Sequence, residues 1–289
     1  MSDFIVTLVF FASMEVVSKP LMGSIDPLTL TFWRFAGGAS VLTGYMLAKR
    51  GLGTLRTLAP GTVLLLALMG VVNIAIAMSL LQTGVKHTSA AKAATVFCSS
   101  PVLVFAFSVI TGAEKYSLRR VLGLAAGLAG LALVSGLHTF TMDKGTFYAL
   151  LSAAAFALYT VLGRKASQLT DAVTINTVSF AAGLAALLPV ILLTGRRLSP
   201  APLAADTGTM AVTAYLALGV SGLAYITFIR AIGAMGAVAA SMVFMLKPAV
   251  AALLAMILLK DSHPTVFWAG LALTSLGSYL VIGKRRVSR

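Results

Sequence analysis

The stretch Val238–Leu259 reads V-A-A-S-M-V-F-M-L-K-P-A-V-A-A-L-L-A-M-I-L-L and is long enough to cross a bilayer, for which about 20 apolar residues suffice. Lys247 stands near its middle, and Pro248 follows at once. A lysine at mid-bilayer costs roughly 2.5–3.5 kcal/mol on insertion scales. A proline removes a helix hydrogen bond and kinks the helix. Two costly residues side by side in an otherwise apolar helix require a water-filled cavity or a partner charge, and the rest of the chain has to supply it.

The same stretch has an echo 147 residues earlier, in Ala90–Thr111, where Pro101 answers Pro248 and Val96-Phe97 answers Val243-Phe244. The register continues without a gap: Glu114 falls on Asp261, Gly123 on Gly270, Gly130 on Gly277 and Gly136 on Gly283. Scattered alanine matches carry little weight in apolar helices. A proline, an acid and three glycines in one register indicate an internal duplication. The first two segments of each half correspond at an offset of 145, with Phe11 on Phe156, Asp26 on Asp171 and Phe35 on Phe180.

The chain is 59% hydrophobic and only 10% charged. A soluble domain carries about 25% charged residues, so the composition is that of a polytopic membrane protein with no separate soluble domain. The net charge of +14 reflects basic residues on cytoplasmic loops, and no nucleic-acid partner is expected. The single cysteine, Cys98, excludes an intramolecular disulfide. The start, M-S-D-F-I-V, lacks the basic region of a signal peptide, so the first apolar run is expected to stay as a helix.

Ten apolar segments are predicted, at Phe4–Met22, Thr29–Ala48, Gly61–Leu81, Thr88–Thr111, Leu118–Leu137, Gly145–Lys165, Ala172–Thr194, Thr209–Ile232, Ala237–Leu259 and Thr265–Gly283. With the N-terminus inside, thirteen Lys and Arg face the cytoplasm and six the opposite side, so both termini are expected in the cytoplasm. Five crossings per unit force the second copy to enter upside down. The expected fold is all-α, ten transmembrane helices as two inverted five-helix repeats, residues 1–141 and 142–289, in one membrane domain. Inverted repeats mark secondary transporters, with the substrate site at the midplane between the halves.

The helix-Pro-helix-acid pattern (S-P-V-L-V-F then G-A-E, K-P-A-V-A-A then L-K-D), the run D-P-L-T-L-T-F-W-R-F and Y-I-T-F-I-R-A-I at Tyr225–Ile232 are similar to those of EamA-type transporters of the drug/metabolite transporter superfamily. The resemblance covers nearly the whole chain. It implies a central cavity, alternating access and a place in the bacterial cytoplasmic (inner) membrane. One position departs: the family pattern often has an acid before the proline of the ninth helix, where this chain has Lys247.

Five charges fall inside predicted helices: Glu15, Lys19, Arg34, Lys92 and Lys247. Lys19, Arg34 and Lys92 lie near the predicted outer ends, where long basic side chains either snorkel to the interface or turn inward. Glu15 and Lys247 are near mid-depth, and an ion pair between them across the cavity is the expected central contact, with Lys19 as the alternative partner of Glu15. Tyr159 and Tyr225 are candidate lining residues, Pro101 and Pro248 candidate hinges. Asn73 and Asn176 read as helix-helix contacts, and Gly123 with Gly127 as a packing face. His87, His138 and His263 show no metal spacing, and no nucleotide loop or nucleophile motif occurs. No enzyme activity, metal or cofactor is expected.

One acid against four bases gives the central region a positive excess. The expected function is export of a small metabolite, an amino acid or organic anion, with lipid around the protein and protons as a candidate coupling ion. Glu15 followed by valine resembles the small multidrug exporters, so a proton-coupled cation exporter is an alternative. A non-transporting scaffold or sensor is another. The substrate and oligomeric state are left open.

Overall fold

The protein is described by a computed structural model covering residues 1–18, 21, 25–51, 53–136, 142–196, 198–199, 206–259 and 264–283. The elements in order are α1 (Ser2–Ser18), α2 (Pro27–Arg50), the single turn α3 (Gly53–Arg56), α4 (Pro60–Gly70), a π-helical stretch (Val71–Ala77), α5 (Met78–His87), α6 (Ala90–Cys98), α7 (Ser100–Ile110), α8 (Leu118–Val134), α9 (Lys144–Leu169), α10 (Ala172–Leu193), α11 (Thr207–Tyr215), a second π-helical stretch (Leu216–Ala224), α12 (Tyr225–Met235), α13 (Ala237–Leu259) and α14 (Thr265–Ile282). No strand occurs among the described residues. Helices satisfy their backbone groups internally, which hydrocarbon demands. Seven helical runs are long and apolar enough to cross a membrane: 60–87, 91–110, 144–169, 172–193, 207–235, 237–254 and 265–282. Of the remainder, α1 and α8 have 17 residues each, just short of the usual ~20. α2 is long enough but diluted by Thr, Gly, Ser and Arg34.

The helix starts follow from local chemistry. Asp26 accepts from the backbone N–H groups of Leu28 and Thr29 at 3.1 and 3.0 Å, and Pro27 occupies the first turn, where its missing N–H costs nothing. Asp171 repeats that cap at the start of α10, accepting from Val173 and Thr174 at 2.9 and 3.3 Å. The two aspartates are the pair matched at an offset of 145.

Several boundaries differ from the sequence expectation. The third run continues past Leu81 to His87, because Gln82 and Thr83 are helix-compatible and Thr88 is the first extended residue. The fourth is broken at Ser99, whose φ and ψ of −77° and −4° leave the helix just ahead of Pro101. α13 passes through Pro248 as one continuous helix, whereas Pro101 sits in the first turn of α7. The expected loop G-A-M-G-A contracts to a single residue, Gly236, between α12 and α13.

Glycines set the closest helix contacts. A Cβ on Gly123 of α8 would stand 2.8 Å from the Gly277 carbonyl oxygen of α14, and one on Gly270 of α14 would stand 2.9 Å from the Gly130 carbonyl oxygen of α8. A Cβ on Gly127 would meet the Met245 sulfur of α13 at 2.6 Å. Small residues allow backbones to approach this closely where no water drives association. The buried core is otherwise aromatic: Phe35 meets Phe180 at 4.9 Å, Phe97 meets Phe244 at 6.0 Å, and Phe156 meets Phe244 at 4.7 Å between ring centroids. Gly123→Ala is expected to destabilise the protein by roughly 1–3 kcal/mol through overpacking. Gly44→Ala, where a Cβ meets nothing within 4 Å, should be neutral or stabilising by up to about 1 kcal/mol. Thermal unfolding in detergent compares them.

Candidate functional site

The centre of the molecule holds a polar cluster inside the aromatic shell. Arg34, two turns into α2, is 6% exposed. Its Nη1 donates to Ser221 Oγ at 3.1 Å, its Nη2 lies 3.8 Å from the Met78 sulfur, and its guanidinium carbon sits 4.3 Å from the centroid of the Phe35 ring. Ser221 belongs to the second π-helical stretch and Met78 opens α5. The side chain is therefore turned inward, not toward the interface, and bridges α2 to a helix of the second half.

Tyr225, the first residue of α12, adjoins Arg34. Its phenol lies within electrostatic reach of Arg34, Asn73 and Lys247. Its ring packs on Phe11, Phe35 and Phe180, each 5.3 Å away between centroids. Asn73 lies on the first π-helical stretch, and its Oδ1 has no hydrogen-bond partner among the described residues. Neither has the hydroxyl of Tyr159, whose ring is 6.4 Å from that of Tyr225. Buried polar atoms are normally satisfied, and these two are among ten described buried side-chain atoms without a hydrogen-bond partner. π-helical stretches occur often at functional sites because they re-aim side chains.

Lys247 is buried on α13, and α1 packs along that helix, with Phe11 5.5 Å from Phe244. The backbone of Glu15 lies on α1 one turn beyond Phe11. The Glu15 side chain and all of Lys19 lie outside the described residues, so the expected Glu15–Lys247 pair rests on sequence alone.

Lys92 lies elsewhere. Its Nζ is 2.7 Å from Asp143 Oδ2, at the start of α9, and Thr88 donates to the same oxygen at 3.2 Å. Asp143 also caps α9 through the Thr146 N–H at 2.7 Å. The lysine thus neither snorkels freely nor enters the central cluster. It ties the start of α6 to the junction between the halves. A second ion pair, Arg196 with Asp26, joins the ends of α10 and α2 on the same side.

The structure gathers Arg34, Lys247, Tyr225 and Tyr159 and leaves Lys92 outside. Sequence reasoning set Asn73 aside as packing and overlooked Ser221 and Asp143. Among described residues, no group of three or more His, Cys, Asp and Glu is placed to hold a metal ion.

An all-helical, membrane-competent fold with buried cations at its core has the design of a membrane transporter, where intramembrane charge marks a pathway. The chain belongs to the EamA-like transporter family, whose model matches residues 4–136 and 143–283. It is 28% identical over 286 residues to an uncharacterized transporter of Clostridium kluyveri, covering 96% of this chain and 90% of that one. It is 27% identical over 285 residues to an uncharacterized transporter of Archaeoglobus fulgidus, covering 96% of each. A solved crystal structure superposes with a TM-score of 0.80 at 20% identity, over 96% of this chain and 94% of the other, and shares the fold.

Lys92, with the Thr146 N–H, holds the Asp143 carboxyl well below the ordinary carboxylate value of 3.8. A lowered carboxyl contributes stability above its unfolded value and loses it as pH falls toward the folded one. The melting-temperature gap between parent and Asp143→Asn is therefore expected to stay constant from about pH 8 to 5 and to close only below about pH 3.8. A gap that closes between pH 7 and 5 would contradict this assignment.

Proposed function

We propose that this chain exports a small carboxylate-bearing metabolite, an amino acid or organic anion, across the bacterial cytoplasmic membrane by alternating access. The surroundings of Arg34 carry the reading. Its guanidinium is buried, yet its partners among the described residues are a hydroxyl, a thioether and an aromatic ring, all neutral. A buried cation is stable when an anion meets it, and a planar guanidinium matches a carboxylate in a bidentate fork. Lys247 adds a second positive group, and Asn73 Oδ1 and the Tyr159 hydroxyl add sites for the polar remainder of a substrate. The aromatic shell suits an amphipathic molecule.

The proposed architecture is ten crossings in two inverted halves with both termini in the cytoplasm. Reciprocal contacts support it. Gly123 touches Gly277 and Gly130 touches Gly270, which is one contact repeated under an exchange of halves. Phe35 meets its own counterpart Phe180, and Phe97 meets Phe244. Residues that meet their own repeat copy lie on the axis relating the copies, as in an isologous interface. The two π-helical stretches begin at Val71 and Leu216, again 145 apart. An axis through the aromatic core puts the substrate site where both halves contribute to it. Glu15 and Lys247, on neighbouring helices from opposite halves, form the coupling pair of this reading, with Glu15 as the proton carrier. The aromatic rings also suit a cation, but Arg34 and Lys247 repel one.

Proteoliposome flux of a radiolabelled metabolite panel, with and without a pH gradient, tests the function. Arg34→Lys and Lys247→Met are each expected to lower flux of the anionic substrate about tenfold or more while folded yield holds. Esterified or amidated analogues should be poor substrates of the parent, and equal flux of charged and neutral analogues would overturn the anion reading. In a double-mutant cycle, Glu15→Gln and Lys247→Met should be non-additive, whereas strict additivity means the residues do not meet. Reporter fusions at Gly53 and Leu198 should report opposite sides of the membrane.

A further inference from the structure

α12 and α13 meet at one residue. Gly236 alone separates Met235 from Ala237 and has a φ of +93°, in the region that favours glycine. A Cβ there would also stand 2.7 Å from Glu114 Oε1. The corner therefore has neither slack in its backbone nor room for a side chain. Its two arms lead to the central cluster: Tyr225 and Lys247 both stand eleven positions from Gly236, roughly 16 Å along their helices.

Both arms are held at the corner by charge. The Glu114 side chain, from the loop between α7 and α8 in the first half, is only 3% exposed. Its Oε1 accepts the Val238 N–H at the start of α13 at 3.2 Å, and its Oε2 is 2.5 Å from Arg120 Nη1. Arg164 of α9 donates its Nη1 to the carbonyls of Ile232, at 3.1 Å, and Gly233 near the end of α12. A helix N-terminus presents free N–H groups and partial positive charge, and a C-terminus the converse. Each end of the corner is thus met by a side chain of opposite sign, one from each half of the chain.

We propose that Glu114 and Arg164 form a latch on the α12–α13 corner, and that this latch is the gate on their side of the membrane. The inference rests on the alternating-access reading above. Any movement of α12 and α13 that uncovers Tyr225 and Lys247 to that side pulls on a corner that cannot stretch, so it must break the Glu114 or Arg164 contacts. A carboxylate shut away from water gives such a contact two states, made or broken, and little between. Lys92 with Asp143, at the starts of α6 and α9, is a more exposed pair.

The test needs no substrate, so it fails or succeeds independently of the transport assay. In a Cys98→Ser background, reporter cysteines replace Ser241, fully buried on α13 just past the corner, or Thr274, fully buried on α14 against α8. A membrane-impermeant maleimide is added to either side of vesicles. Glu114→Gln is expected to speed labelling at Ser241→Cys about tenfold or more, from the latch side only, and to leave Thr274→Cys protected. Unchanged labelling at Ser241→Cys overturns the proposal. Equal labelling at both positions also overturns it, because Glu114 then anchors the whole fold. If Glu114→Gln does not accumulate, Arg164→Met releases the carbonyl side of the same corner, and a protected Ser241→Cys in that variant overturns the latch.

Discussion

The centre of this protein depends on holding a buried guanidinium among neutral neighbours. Arg34 reaches across from α2 to Ser221 and Tyr225 and lies against Phe35. Each of these neighbours offers partial negative charge, a lone pair or a π face, and none neutralises it. Aromatic faces contribute attraction to a cation that strengthens as water is excluded. The aromatic shell therefore packs the core and also makes the cation tolerable. Among the described residues, the groups recorded around Arg34 are all neutral.

The second constraint is close approach. Where lipid replaces water, helices gain little from burying apolar side chains and associate through contact and packing. Gly123, Gly130, Gly270 and Gly277 bring α8 and α14 together backbone to backbone. Gly183 does the same for α10, where a Cβ would stand 2.6 Å from the Gly70 carbonyl oxygen of α4. These seams are close-packed, backbone to backbone. The α4–α10 seam adjoins the first π-helical stretch, where a Cβ on Gly183 would also meet Ile74 at 2.9 Å, and the central cluster lies beside it among longer side chains.

Much of this was legible in the chain itself. Composition and the spacing of apolar runs dictate a helical membrane protein, because hydrocarbon admits no unsatisfied backbone. The spacing of 145 and 147 residues predicts matched elements; Asp26 and Asp171 both cap a helix, and Gly123 and Gly130 of α8 both pack against glycines of α14. Such features are local or depend on one residue type, so sequence exposes them. The two proline segments differ in detail: Ser99 leaves the helix before Pro101, while α13 runs through Pro248, where neighbouring groups can satisfy the carbonyl that proline frees.

Side-chain destinations were decided only by the tertiary structure. Arg34 and Lys92 look alike in sequence, each a basic residue near a predicted helix end, and long flexible side chains reach either inward or outward from there. The partner decides, and the partners are far away in the chain: Ser221 for Arg34, Asp143 for Lys92. Asn73 became a candidate ligand only when its neighbours left its oxygen unfilled, and Glu114 a candidate latch only when folding brought it to Gly236 and Val238. Sequence determined that charges are buried in this membrane protein, since they stand in apolar runs. Which of them meet was settled by contacts between helices 50 to 190 positions apart, a scale that apolar patterning does not reach.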